Sequence, residues 1–350
     1  MPEARDSRHL RRVKRLADLL AALRETVAAL AEALPTRPSA RDDDTIRALA
    51  ERLSGLEPGI RQTASWLRKS AEGSAEARML AEARVSLAAL PRVLAAIERM
   101  LARVPEPLFP KPVPTDSAGR RLEVLSRGFA LLEVAASGNL QASGMEEYGF
   151  PFIPLDLEHY VWGLQAMWRL LVALGRAEGA RYLEVGCGAG GKLILAHEFF
   201  STVEGIEYDA GYVERAALLG NTTWPGRKVT HADALHFDRY GEFDAIYSYV
   251  PLRDPELHNT MEQRLYTQAR DGTVIFAPML RASFLHTELP RFEPGLFVKG
   301  YFGAEMQALR DEAELVGGIA PPPLPRRHRI ERRNLLQPVI DRLARAGFAP

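Results

Sequence analysis

The stretch Leu183-Glu184-Val185-Gly186-Cys187-Gly188-Ala189-Gly190-Gly191 is the part of the sequence best suited to holding a ligand. Its apolar start has strand character, and Leu193 and Ile194 open a helical pattern beyond it. Glycine allows the backbone to turn with positive φ and to approach a ligand closely. The helix that follows offers free N–H groups and a positive dipole end. Gly186, Gly188 and Gly191 satisfy G-x-G-x-x-G, the dinucleotide fingerprint, so an NAD-binding oxidoreductase is one reading. Glu184, two residues before the first glycine, favours another. A carboxylate there suits a ligand carrying an ammonium and a sulfonium, and it would repel a pyrophosphate.

Two further carboxylates follow at strand ends. Glu207 closes Val203-Glu204-Gly205-Ile206-Glu207, about 20 residues beyond the glycine loop, where an acidic residue can accept hydrogen bonds from ribose hydroxyls. Asp233 lies in Ala232-Asp233-Ala234, placed to bond an adenine amino group. The run from Glu184 to Gly190 resembles the first motif of class I S-adenosylmethionine-dependent methyltransferases. Glu207, Asp233-Ala234 and Phe243-Asp244-Ala245-Ile246-Tyr247 stand where that family has its second, third and fourth motifs. The similarity covers roughly residues 155–302. It implies an α/β, Rossmann-like sheet of seven strands, the last antiparallel, with S-adenosyl-L-methionine as cofactor. By the same resemblance Gly186, Gly188 and Gly190 line the methionine moiety, with Cys187 a small residue of the same cofactor-binding loop, Glu207 holds the ribose and Asp233 the adenine. Ala234, Tyr208 and Ser248 complete the implied cofactor set.

In this family the fourth strand leads to the methyl-transfer point. Here it ends Tyr247-Ser248-Tyr249-Val250-Pro251-Leu252-Arg253-Asp254, without the Asn/Asp-Pro-Pro-Tyr/Phe of many amino-group methyltransferases acting on adenine or glutamine. Methyl transfer needs alignment above all, and for some nucleophiles a general base. Tyr249, Asp254 and His258 are the candidates at the mouth, and the aromatic loop from Tyr148 to Phe152 is a candidate lid. Tyr249 reads equally as a packed aromatic, Asp254 as a helix cap and His258 as a solvated helix residue. No His/Cys/Asp/Glu spacing argues for a metal. The acceptor is unidentified, with a small molecule or protein favoured. A non-catalytic scaffold retaining the cofactor is a further alternative.

These groups must be held by regular elements. Apolar strand patterns at 182–185, 202–206, 228–230, 243–249 and 272–277 alternate with helices, which predicts a parallel α/β sheet. Extended segments are expected at 284–289 and 296–301, and a long helix at 155–174. The first hundred residues read differently. Leucines and other apolar residues step by three and four through Leu16, Leu20 and Leu23, through Leu49, Leu53 and Leu56, and through Leu87, Leu90, Leu94 and Ile97. Three such helices, separated by short breaks, predict an all-α bundle folding within one chain; a coiled coil with another chain is the alternative. Pro91 is expected to kink or restart the third. Domains are accordingly placed at 1–104 (helical), 105–118 (proline-rich linker), 119–310 (cofactor-binding) and 311–350 (Pro-rich, basic extension).

The 350 residues are 47% hydrophobic and 26% charged with zero formal net charge, so no global field argues for nucleic acid or an anionic membrane. Arg8, Arg11, Arg12, Lys14 and Arg15, and the tail Arg326, Arg327, Arg329, Arg332 and Arg333, lack interleaved aromatics and read as solvated charge. Contact with nucleic acid or an acidic protein is the alternative reading of these stretches, and the N-terminal helices offer a surface for a protein partner. The single cysteine and the charged N-terminus predict a cytoplasmic protein.

Overall fold

The computed structural model describes residues 2–34, 40–68, 74–109, 157–223, 227–279, 295–317, 334–348 and 350, with isolated positions between 124 and 131. The expected lid at 148–152, the extended segment expected at 284–289 and the basic tail lie outside them. The described residues form two compact units, 1–104 with 317–350, and 105–316.

The first unit contains α1 (Pro2–Ala33), α2 (Asp43–Leu67) and α3 (Ser74–Leu101). Asp42 caps α2, its Oδ1 accepting from Thr45 N at 3.1 Å, and Asp43 and Asp44 follow in the first turn. Leu16, Leu20, Leu23, Ile46, Leu53, Leu90 and Ile97 are all buried in one apolar cluster. α3 runs through Pro91, and α2 through Pro58, without being divided. A proline deletes one ladder hydrogen bond, and the buried faces on either side outweigh that loss. Residues 317–350 belong to the helical unit, where α9 (Gln337–Arg345) buries Leu336, Val339 and Leu343 in the same cluster. Ser86 Oγ accepts from Leu335 N at 3.1 Å, and Gly317 N donates to Ala346 O at 3.1 Å. The short helix completes a core that three helices leave open on one side. Ending the chain at residue 333 should therefore destabilise the helical unit by several kcal/mol, at roughly 1.5–3 kcal/mol per large buried side chain. Thermal melting followed by circular dichroism checks this; an unchanged helical transition would refute it.

The second unit opens with 105–109, the described part of the segment expected as a proline-rich linker. Leu108 is buried, and Glu106 N donates to Glu314 O at 3.0 Å. The rest of the 105–118 segment lies outside the described residues. Then come α4 (Leu157–Ala173), β1 (Arg181–Val185), α5 (Leu193–Ala196), β2 (Thr202–Glu207), α6 (Ala210–Thr223), β3 (Arg227–His231), β4 (Ala245–Ser248), α7 (Pro255–Gln268), β5 (Val274–Phe276), β6 (Leu296–Val298) and α8 (Gly303–Leu315). α8 spans the boundary expected at 310 and belongs wholly to this unit.

The described strands make one six-stranded sheet in the order β3-β2-β1-β4-β5-β6. β1 to β5 are parallel, and β6 runs antiparallel to β5 with Val274 opposite Val298. The seventh expected strand, 284–289, is not among the described residues. Leu183, Val185 and Ile246 pack on the α7 side with Met261 and Leu265. Tyr182, Glu184 and Tyr247 alternate to the other face, where Tyr160 of α4 meets Tyr247 edge-on at 5.1 Å. Gly163 admits the Phe276 ring so closely that a Cβ would stand 2.1 Å from it. Among the described residues no helix is long and apolar enough to cross a membrane.

Candidate functional site

The glycine loop leaves β1 at the switch point between β2 and β4, where a crevice forms at the carboxyl ends of parallel strands. Gly186, Gly188 and Gly190 have φ of 73°, 55° and 70°, the left-handed region that L side chains rarely adopt. The loop is pinned to the end of β2: Gly186 N and Cys187 N both donate to Ile206 O, at 2.9 and 3.1 Å. Cys187 is buried beneath the loop, and Gly205 on β2 makes room for it; a Cβ at Gly205 would lie 2.5 Å from Cys187 Sγ. Burial pushes the thiol pKa well up, which suits a packed small residue rather than a nucleophile.

Glu207 closes β2 and is buried. Its Oε2 accepts from Gly188 N at 2.8 Å and its Oε1 from Asp209 N at 2.9 Å. Burial raises its pKa, and these backbone donors pull the other way. The carboxylate thus ties the second strand to the glycine loop. Tyr208 beside it is exposed, with its carbonyl 2.8 Å from His231 Nε2. Asp233 Oδ1 accepts from Leu235 N at 2.8 Å and its Oδ2 lies 2.8 Å from His236 Nδ1, so this carboxylate already shapes the turn after β3. Ala234 O accepts from the Tyr240 hydroxyl at 2.9 Å.

Glu184 differs from the sequence expectation. It is fully buried, and Lys192 Nζ lies 2.9 Å from its Oε1. The Tyr160 hydroxyl donates to Glu184 Oε2 at 3.2 Å and stands 3.0 Å from the Tyr182 hydroxyl. Burial raises the pKa of Glu184 while Lys192 opposes it, and both tyrosines sit well above their usual value, chiefly through burial. The carboxylate is therefore one half of an ion pair, not a lone anion facing a cationic ligand. Lys192 was missed because its chemistry depends on a contact across the loop.

At the end of β4, Ser248 lies opposite Val185, and its buried Oγ has no hydrogen-bond partner among the described residues. An orphaned hydroxyl is costly to bury, and it is a group a bound ligand can satisfy. Val250 has φ 44°, a strained conformation for a β-branched residue. Pro251 packs over Gly186, where a Cβ would lie 2.8 Å from Pro251 Cβ.

The acceptor-side candidates are separated by the structure. Tyr249 is half-buried beside Ser248. Asp254 caps α7, its Oδ1 accepting from Glu256 N at 2.8 Å and Leu257 N at 2.9 Å. His258 is buried, with Nε2 2.8 Å from Glu262 Oε1 and Nδ1 3.3 Å from Leu252 O. A base must reach its substrate's proton. In this arrangement the imidazole instead secures the β4–α7 turn. The sequence did carry the signal: His258, Met261, Glu262 and Leu265 follow the spacing of a core-facing helix stripe.

No protein-family model matches the chain, and no curated protein matches it. Among solved structures, it is similar to an amino pentose methyltransferase from Micromonospora echinaspora that binds S-adenosylmethionine. Identity there is 24%, over 40% of this chain and 54% of that one, with a TM-score of 0.28. A sugar N-methyltransferase from Streptoalloteichus matches at 24% identity over 40% and 60% of the two chains, TM-score 0.27. The N-methyltransferase NodS from Bradyrhizobium japonicum, in complex with S-adenosyl-L-homocysteine, matches at 19% over 43% and 71%, TM-score 0.29. The chain spans about half the length of the first of these.

Proposed function

We propose that this chain is a class I S-adenosylmethionine-dependent methyltransferase. The observation that carries the reading is the sheet. Five parallel strands in the order 3-2-1-4-5 are closed by an antiparallel sixth, with the glycine loop at the switch point. The dinucleotide fold repeats parallel β-α-β units, so its sixth strand runs with the others.

The residues fit the cofactor. The positive-φ loop at Gly186, Cys187, Gly188 and Gly190 cradles the methionine end, and the orphaned Ser248 hydroxyl faces a role there. Glu207 retains acceptor capacity for the ribose beyond the backbone donors Gly188 and Asp209, since a carboxylate has about four lone-pair sites. Asp233, Ala234 and the exposed Tyr208 receive the adenine. Bound S-adenosylmethionine supplies an activated methyl group on a sulfonium. The chain's own task is alignment: the strained Val250 and the His258–Glu262 tie hold the wall on which Tyr249 meets the acceptor. The acceptor is read as a small molecule or protein, and the helical unit as its recruiting module. The buried, unpaired Cys187 thiol suits a reducing cytoplasm.

Titration calorimetry of the full chain tests the reading. S-adenosyl-L-homocysteine or S-adenosylmethionine should bind, and NAD(H) should not. Binding of NAD(H) with neither sulfur ligand would replace this assignment by the oxidoreductase.

A further inference from the structure

The stretch from Ser7 to Ala17 carries the cations Arg8, Arg11, Arg12, Lys14 and Arg15 and no carboxylate, in a chain of zero net charge. All of these cations are exposed, and among the described residues none is paired with a carboxylate. Arg8, Arg11, Arg12 and Arg15 stand at i, i+3, i+4 and i+7, so one face of α1 presents them together. The apolar stripe through Leu16, Leu20 and Leu23 is turned into the helical core instead.

The aromatic residue missing from that stretch comes from α2. The two helices pack antiparallel. Leu19 lies opposite Gly59, where a Cβ would stand 3.4 Å from the leucine methyl carbons. Two turns further along each helix the Arg12 guanidinium lies over the Trp66 ring, 5.1 Å from its centroid. Trp66 is 40% exposed. Among the described residues of α1, α2 and α3, only Leu10 and Trp66 are large apolar side chains left this open. Leu10 is two residues from Arg12 and so turned to nearly the opposite side of α1.

Charge and indole together select the partner. A lipid surface calls for a broad apolar face beside the cations, and this face has a single indole. An acidic polypeptide answers the charge but leaves the indole without a task. A single-stranded nucleic acid uses both. Its phosphates match the planar guanidinium forks, and its unpaired bases offer π faces for stacking.

We propose that the face of α1 bearing Arg8, Arg11, Arg12 and Arg15, with Trp66 of α2, binds single-stranded nucleic acid. The arginines take the phosphates, Trp66 stacks on a base, and Arg12 also holds the indole in place. This concerns the helical unit alone and does not rest on the methyltransferase reading.

The test follows the fluorescence anisotropy of a labelled oligouridylate of about 12 nucleotides, titrated with the full chain across a salt series. Binding is expected, and log affinity should fall with log salt concentration at a slope of about 3, the value for four phosphate contacts on a single strand. The Arg8→Gln/Arg15→Gln double variant should reduce that slope by about 1.4. Trp66→Leu should weaken binding about fivefold to a hundredfold at an unchanged slope. Circular dichroism shows whether each variant keeps its helices. Absence of binding at low salt overturns the proposal. So does a folded Trp66→Leu variant that binds like wild type, which would leave charge attraction alone. Tighter binding of phosphatidylserine vesicles or of polyglutamate than of the oligouridylate would make the partner a lipid surface or an acidic protein, and also overturns it. Should Trp66→Leu fail to fold, the exposed arginine pair decides, and an unchanged slope there rejects the site.

Discussion

Replacing Glu207 with Ala should weaken S-adenosyl-L-homocysteine binding by about a hundredfold or more, beyond the roughly tenfold to hundredfold that loss of a ribose contact alone predicts. Hydrogen bonds to a charged acceptor are worth about 1.5–3 kcal/mol each. In the proposed complex Glu207 accepts from the ribose. It also holds Gly188 N at 2.8 Å and Asp209 N at 2.9 Å. The variant therefore loses a ligand contact and releases the loop whose positive-φ backbone forms the cradle. Glu207→Gln keeps the length and one acceptor oxygen, so it should fall between wild type and Ala. Titration calorimetry checks the order. An unchanged dissociation constant for Glu207→Ala would mean that the ligand sits elsewhere or is a different one.

The parts of this site that the sequence disclosed are those set by local backbone chemistry. Gly186, Gly188 and Gly190 announce left-handed turns because other residues are strained there, and Glu207 is found by counting from one strand end to the next. The strands were legible because their apolar residues alternate or run continuously between turn signals. What stayed hidden depends on contacts that periodicity does not encode. Glu184 looks like a lone carboxylate until Lys192, eight residues on, is seen to fold back beneath the loop. His258 looks like a surface histidine until Glu262 is read with it as a polar pair on a core-facing stripe. The tail looks like an appendage because nine residues of amphipathic helix do not name their partner. Leu336, Val339 and Leu343 find theirs among residues more than two hundred positions earlier.

Arg169→Met should strongly destabilise the sheet-containing unit. Along α4 the sequence Met167-Trp168-Arg169-Leu170-Leu171 is apolar but for this residue, and the structure buries all five. The Arg169 guanidinium donates to four backbone carbonyls: Nε to Ala313 at 3.0 Å, Nη1 to Pro107 at 2.9 Å, and Nη2 to Glu106 at 2.7 Å and Glu314 at 3.0 Å. These carbonyls belong to the segments by which the chain enters and leaves the unit. A planar fork with five donors can serve them all, whereas a lysine ammonium is a point charge with three. Methionine fills much of the volume but leaves the carbonyls without their donor, at about 1–3 kcal/mol for each one kept from water. A loss of about 3 kcal/mol or more is expected, which in a unit of this size lowers the melting midpoint by roughly 6–12 °C. Arg169→Lys should recover only part of it. Scanning calorimetry gives the midpoint, and hydrogen exchange at the Glu106 amide, bonded to Glu314 O, reports whether the 105–109 segment has come loose. A midpoint within about 2 °C of wild type would show that burial of Leu108 alone anchors that segment, and that the four carbonyls find water once the guanidinium is gone.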